Sequence, residues 1–192
     1  MAEEVKAKSL WKDYSKNLWK DYSKELVANK DQTLVDILRK IPLFRTLGKR
    51  ELKTISKFAH ERVFETNEFV FRTGQPGAAM FIIKEGEVKI VKEISDKENI
   101  EIVKLTPGNI FGELALLDSS PRSAGALASM PTKVIAIFRE ELNKLLDSHP
   151  DIGGKIMLHL AIITGKRLKD TTNQLIEIEN EMYHLKESIN EK

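Results

Sequence analysis

The densest chemistry in the chain lies in Phe111-Gly-Glu-Leu-Ala-Leu-Leu-Asp-Ser-Ser-Pro-Arg-Ser-Ala124. Gly112 lets the backbone turn tightly and approach a ligand closely. Glu113 to Leu117 can form one turn of helix, whose free N–H groups suit an anion. Arg122 returns nine residues after Glu113, just past Ser119-Ser120-Pro121. A guanidinium there can fork onto two phosphate oxygens, a charge-assisted contact worth about 1.5–3 kcal/mol. Glu113 would repel a phosphate laid directly against it, so it reads as an acceptor for sugar hydroxyls. It would also lie near enough to Arg122 for its charge to be compensated. The combination suits a ligand with one phosphate charge fused to a ribose.

Short strands must position this segment. From Val63 onward the predicted strands are Phe69–Arg72, Met80–Ile83, Val88–Val91, Ile100–Leu105 and Lys133–Phe138. Turn signals separate them at Thr73–Gly77, Lys84–Gly86, Ser95–Asn99 and Pro107–Asn109. Such punctuation indicates a sandwich, roll or barrel. Helices flank the strands. Leu34–Lys40 is broken by Pro42, Glu51–Ala59 carries Leu52, Ile55 and Phe58 at helical spacing, and Glu140–Ser148 returns to helix. A long helical pattern then runs from Asp151 almost to the C-terminus, with no proline after Pro150.

The first forty residues also read as helix. Leu10, Tyr14, Leu18, Tyr22 and Leu26 recur every four residues, and Leu10–Lys16 (LWKDYSK) is repeated unchanged as Leu18–Lys24. Each copy sits roughly 80° around a helix from the last, so the aromatic stripe winds. The plain reading is an arm that packs on its own domain or on a dimer mate. A partner-docking or membrane-surface helix is the alternative.

The 192 residues contain 31 Lys/Arg, 29 Asp/Glu and no cysteine. Disulfides, thiolate metal sites and a cysteine nucleophile are thereby excluded. The net charge of +2 does not point to nucleic acid, but residues 1–60 hold 14 basic against 8 acidic residues while residues 61–192 hold 17 against 21. His60, His149, His159 and His184 are scattered without metal-ligand spacing or a grouping for nucleophilic catalysis. No apolar run reaches the ~20 residues of a membrane span and no signal-peptide core is visible. The expectation is a cytoplasmic, non-enzymatic protein.

Phe111–Ala124 resembles the phosphate-binding cassette of cyclic-nucleotide-binding domains, the family of the bacterial catabolite activator and the regulatory subunits of cAMP-dependent kinase. The resemblance runs from about Leu38 to the C-terminus. It includes Ile41-Pro-Leu-Phe44, Gly74…Gly77 and Phe81…Gly86-x-Val88. It implies an α+β fold, a β-roll of the double-stranded β-helix or jelly-roll type, with flanking N-terminal helices and a long C-terminal dimerisation helix. The domains implied are a helical arm over 1–37, the β-roll over 38–150 and the long helix over 151–192. Glu113 would hold the ribose 2′-hydroxyl and Arg122 the exocyclic phosphate oxygens, assisted by Ser123, Ala124 and the backbone of Gly112, Leu114 and Ala115. Ile90, Val103 and Leu105 would form the apolar wall. Ser123 leans the ligand toward cAMP over cGMP.

Heptads counted from Leu168 place Leu168, Leu175, Met182 and Ile189 at a and Thr171, Ile178 and Leu185 at d, which argues a dimeric coiled coil. By the resemblance, Thr171 and, from the second subunit, Thr172 would contact the base. A haem gas sensor of the same superfamily would not call for the Glu113/Arg122 pair. The activator family continues into a DNA-reading helix-turn-helix that has no counterpart here, so no DNA binding by that route is expected. The output would be contact with an unidentified protein effector. The alternative is a dimerisation scaffold of the same fold that uses no nucleotide.

Overall fold

The computed structural model describes residues 34–95 and 98–190. The repeat-bearing arm lies outside the described residues, as do the side chains of His184, Leu185 and Ile189.

Two short helices come first, α1 (Leu34–Lys40) and α2 (Lys49–Ile55), with a 3-10 turn at Pro42–Phe44 between them and another at Ser56–Phe58 after them. Glu51 caps the start of α2 by accepting the Gly48 N–H at 2.6 Å. Eight strands follow: β1 Ala59–Phe64, β2 Phe69–Phe71, β3 Ala79–Glu85, β4 Val88–Ser95, β5 Glu98–Leu105, β6 Ile110–Phe111, β7 Gly125–Ala128 and β8 Thr132–Phe138. Two helices close the chain, α3 (Arg139–Ser148) and α4 (Pro150–Asn190). Pro150 stands at the first helical position of α4, where a missing N–H costs nothing.

The strands form two antiparallel four-stranded sheets, ordered β1-β8-β3-β6 and β2-β7-β4-β5. The first is covered on both faces, and its sequence shows why. In β3, Met80 and Ile82 join the core shared with the helices, while Phe81 and Ile83 join the core between the sheets. In β8, Ile135 and Ile137 do the former, Val134 and Ala136 the latter. Side chains alternate across a strand, so two-sided burial requires an unbroken apolar run. The layers are therefore helices, first sheet, second sheet. This is the jelly-roll type of β-roll that the sequence implied, with helices on its flanks.

Several boundaries differ from those read in the sequence. The predicted helix Glu51–Ala59 ends earlier, because Ala59 already pairs with Ile137 at the start of β1. The division after residue 37 falls inside α1, whose Ile37 and Leu38 are both in the core. Strands β1, β6 and β7 were not anticipated. No helix among the described residues is long and apolar enough to cross a membrane.

Candidate functional site

Gly112 follows β6 with φ 66°, a left-handed conformation that lets the chain leave the sheet and enter the 3-10 turn Glu113–Leu116. A Cβ at Gly112 would lie 2.6 Å from Arg122 Nη1. The absent side chain thus makes room for the guanidinium that returns from the other end of the cassette.

Arg122 is held by its surroundings on every side. Its Nη1 donates to Gly112 O at 3.0 Å and its Nη2 to Ala79 O at 2.7 Å. Its Cζ lies 4.0 Å from the centroid of the Phe71 ring, which belongs to a cluster with Phe81 and Phe111. Backbone pairing fixes its position, with Arg122 N donating to Gln75 O and Gly74 N to Arg122 O, both at 2.8 Å. Burial pushes the guanidinium below its ordinary pKa, nearby Glu113 acts in the opposite sense, and Arg139 adds to the lowering. Its buried Nε has no hydrogen-bond partner among the described residues. A half-buried cation with an unspent donor favours an anion beside it.

Glu113 is buried, and the cation that touches it is not Arg122. Arg167 of α4 pairs with Glu113 Oε1 through Nη1 and donates to Ile110 O at 3.2 Å through Nη2. Arg122 is near enough for its charge to act on Glu113, as the sequence suggested, but the cation in contact with the carboxylate is Arg167. Arg122 is spent on backbone carbonyls, and the long helix supplies the counter-charge.

The loop between the two ends of the cassette is clamped from α3. Arg139, the first residue of that helix, donates to Asp118 O, to Ser119 Oγ at 2.9 Å and to Gly77 O at 2.8 Å. Glu93 of β4 secures the neighbouring loop by accepting the Thr73 N–H at 2.7 Å and Arg72 Nη1 at 2.9 Å.

These parts enclose a cavity of about 610 Å³. It is lined by Gly112, Glu113, Leu114, Ala115, Arg122, Ser123 and Ala124 from the cassette region, and by Ile90, Val103 and Leu105 from β4 and β5. The register explains the wall, since Val88 pairs with Leu105 and Ile90 with Val103. Thr171 and Thr172 are not brought there. Both are exposed on α4, and the Thr172 hydroxyl donates to Leu168 O at 2.9 Å. Phe71, Ile102, Asp118, Ser120 and Arg167 also line the cavity and were missed in the sequence. For Arg167 the sequence carries no local signal, since its place at the cavity follows from the path of α4. The arrangement offers a guanidinium, a carboxylate with a second arginine, and an apolar wall.

Residues 61–149 match the family described as cyclic nucleotide-binding domain. The chain is 28% identical over 134 residues to the cyclic AMP receptor protein of Thermus thermophilus, covering 70% of this chain and 60% of that one. A crystal structure of a cyclic nucleotide-binding domain from Methylobacillus flagellatus superposes with TM-score 0.65 at 26% identity, covering 83% of this chain and 85% of that one. A cyclic nucleotide-binding-like protein from Brucella abortus gives 0.53 at 30% identity, covering 60% and 98%. The chain spans less than two thirds of the length of curated relatives such as the Thermus receptor, at 60%.

Proposed function

The chain belongs to the cyclic nucleotide-binding domain family, and from that premise we propose that it is a non-enzymatic receptor for a 3′,5′-cyclic nucleotide, cAMP in preference to cGMP. The observation that carries this reading is the half-buried Arg122, which lines the same cavity as Glu113 and whose Nε is unpartnered. In this reading the phosphate lies against Arg122 and Ser123 at the cassette. The ribose hydroxyl donates to Glu113, and the base lies along Ile90, Val103 and Leu105. A volume of about 610 Å³ falls within the roughly 300–1,000 Å³ usual for small-molecule sites. Arg167 joins the site by fixing the Glu113 carboxylate.

Signalling runs through α4 in this reading. Leu168, Leu175, Ile178 and Met182 are exposed along it at heptad positions a and d, which supports pairing with a second copy. Thr171, which does not line the cavity in the single chain, and Thr172 of the second copy would then meet the base only where pairing brings α4 over the cavity mouth. A ligand favouring one helix-pair arrangement would shift the dimer toward it and alter contact with a protein effector, in the cytoplasm where cyclic nucleotides are made.

Isothermal titration with cAMP and with cGMP, on the wild type and on Arg122→Ala, tests the proposal. Binding lost in the variant supports it. No heat with either nucleotide leaves a dimerisation scaffold of the same fold.

A further inference from the structure

Three successive carbonyls leading into β3 serve two arginines. Gly77 O accepts Arg139 Nη2 at 2.8 Å, Ala78 O accepts the Arg139 N–H at 2.9 Å, and Ala79 O accepts Arg122 Nη2 at 2.7 Å. A shift of this short segment therefore moves an acceptor of Arg122 together with those of Arg139. Arg139 does not itself line the cavity, so any effect it has on a ligand passes through other groups.

The sheet fixes the backbone of Arg139. It follows Phe138, which ends β8 and pairs with Ala79 of β3, and it opens α3. Its guanidinium then spans two loops that are distant in the chain. Nη2 takes Gly77 O, while Nη1 takes Asp118 O and Ser119 Oγ. From that clamp the loops run side by side. Pro76 and Pro121 form a bridge, the Arg122 N–H donates to Gln75 O, and the Gly74 N–H donates to Arg122 O. The loops approach closely because Gly77 has no side chain: a Cβ there would lie 2.9 Å from Ala115 Cβ and 3.2 Å from Ser120 O. Arg122 stands at one end of this zipped pair of loops and Arg139 at the other.

The clamp calls for a guanidinium. Its two Nη groups lie in one rigid plane, so each loop is placed relative to the other. An ammonium is a single charge on a flexible stem and cannot hold both carbonyls in that geometry. Charge enters as well. Burial lowers the pKa of Arg122, Glu113 opposes this and Arg139 adds to it, so the two guanidiniums are near enough to repel. An anion at Arg122 offsets that repulsion.

On the cyclic-nucleotide reading of the cavity, on which this rests, we propose that Arg139 is a positioning residue for its phosphate end. By clamping Gly77 to Asp118 and Ser119 it fixes Arg122 where a ligand phosphate is received. Because Arg139 also opens α3, the phosphate end is tied to the helical layer by a contact separate from the Glu113–Arg167 pair.

The test compares wild type, Arg139→Ala and Arg139→Lys with and without ligand. In hydrogen exchange without ligand, the amides of Gly74 and Arg122 should exchange about tenfold faster in both variants. The amide of Ile83, which donates to Asn109 O within the roll, should keep its wild-type rate. In calorimetry with 3′,5′-cAMP both variants should bind about five- to tenfold more weakly, with no rescue by lysine. In the Arg122→Ala background, Arg139→Ala should cost less than about twofold, since the group it positions is gone. A merely structural Arg139 would lower affinity by the same factor in both backgrounds. Arg139→Lys replaces Arg139→Ala throughout if the alanine variant does not fold. Unchanged exchange at Gly74 and Arg122, wild-type affinity in Arg139→Lys, or additivity with Arg122→Ala overturns the proposal. If the wild type binds neither cAMP nor cGMP, the receptor reading fails, and the exchange rates alone decide whether Arg139 places Arg122.

Discussion

Glu113 and Arg167, 54 positions apart in the chain, form an ion pair that ties the cassette to the long helix. The side chain of Glu113 is only 7% exposed and that of Arg167 29%, so the pair is largely shielded from water. A ligand hydroxyl that donates to Glu113 must share the carboxylate with Arg167. Ligand occupancy and the position of α4 are then linked through one side chain, the kind of shared contact that a coupling free energy requires.

Arg167→Ala should therefore act on two measurements. It strands a buried carboxylate, so thermal stability should fall by about 1–3 kcal/mol. Nucleotide affinity should change as well, because the carboxylate loses its fixed orientation. A double-mutant cycle with Glu113→Gln separates the pair from background, with a coupling energy of about 1 kcal/mol or more expected. Additive effects of the two substitutions would mean that the contact links nothing.

Arg122→Ala should weaken nucleotide binding by roughly 10–100-fold, the equivalent of one charge-assisted hydrogen bond. Arg122→Lys should rescue little. An ammonium has no planar fork with which to serve the Gly112 and Ala79 carbonyls while facing a phosphate. Titration calorimetry checks both. Affinity of Arg122→Ala within a few-fold of wild type would remove the cassette from the site.

The elements legible in the sequence were those whose burial writes a pattern. Strand β3 is apolar at five successive positions because both its faces are covered. The cassette was legible because Gly112, Glu113 and Arg122 meet locally. What escaped depended on neighbours distant in the chain. Strand β1 is an edge strand whose His60-Glu-Arg62 centre shows no apolar run. Strand β7 reads Gly-Ala-Leu-Ala, poor in strand-forming residues, because space there is short: a Cβ at Gly125 would lie 2.8 Å from Glu93 Oε1. Arg167 reaches the cavity only through the path of α4, which no local motif encodes.

Glu93 should leave a mark on the acid limb of the stability curve. The Thr73 N–H above all, and Arg72, hold its carboxyl below the ordinary 4.5. A carboxyl whose folded pKa is lowered contributes stability that is whole above its unfolded value. That stability is lost as pH falls through the folded value. Glu93→Gln should thus lower the melting temperature near neutral pH and flatten its decline below about pH 4.5. Thermal melts from neutral to acid pH check this. Parallel curves for variant and wild type would count against a role for the charge.

The proposed dimer makes a joint prediction about assembly and ligand. Leu175 and Met182 are 57% and 46% exposed at heptad position a, and Ile178 at d is 42% exposed. Their burial in a seam would stabilise pairing by about 1.5–3 kcal/mol for each fully covered side chain. Leu175→Glu/Ile178→Glu should convert the protein to a monomer in sedimentation velocity without lowering its melting temperature at low concentration, since neither residue belongs to the core. If Thr172 of the second copy touches the base, the same variant should bind cAMP more weakly. Thr172→Ala alone should then reproduce the affinity loss while remaining dimeric. A monomeric variant with wild-type affinity would confine the whole site to one chain, leaving the Glu113–Arg167 pair as the route by which ligand is felt along α4.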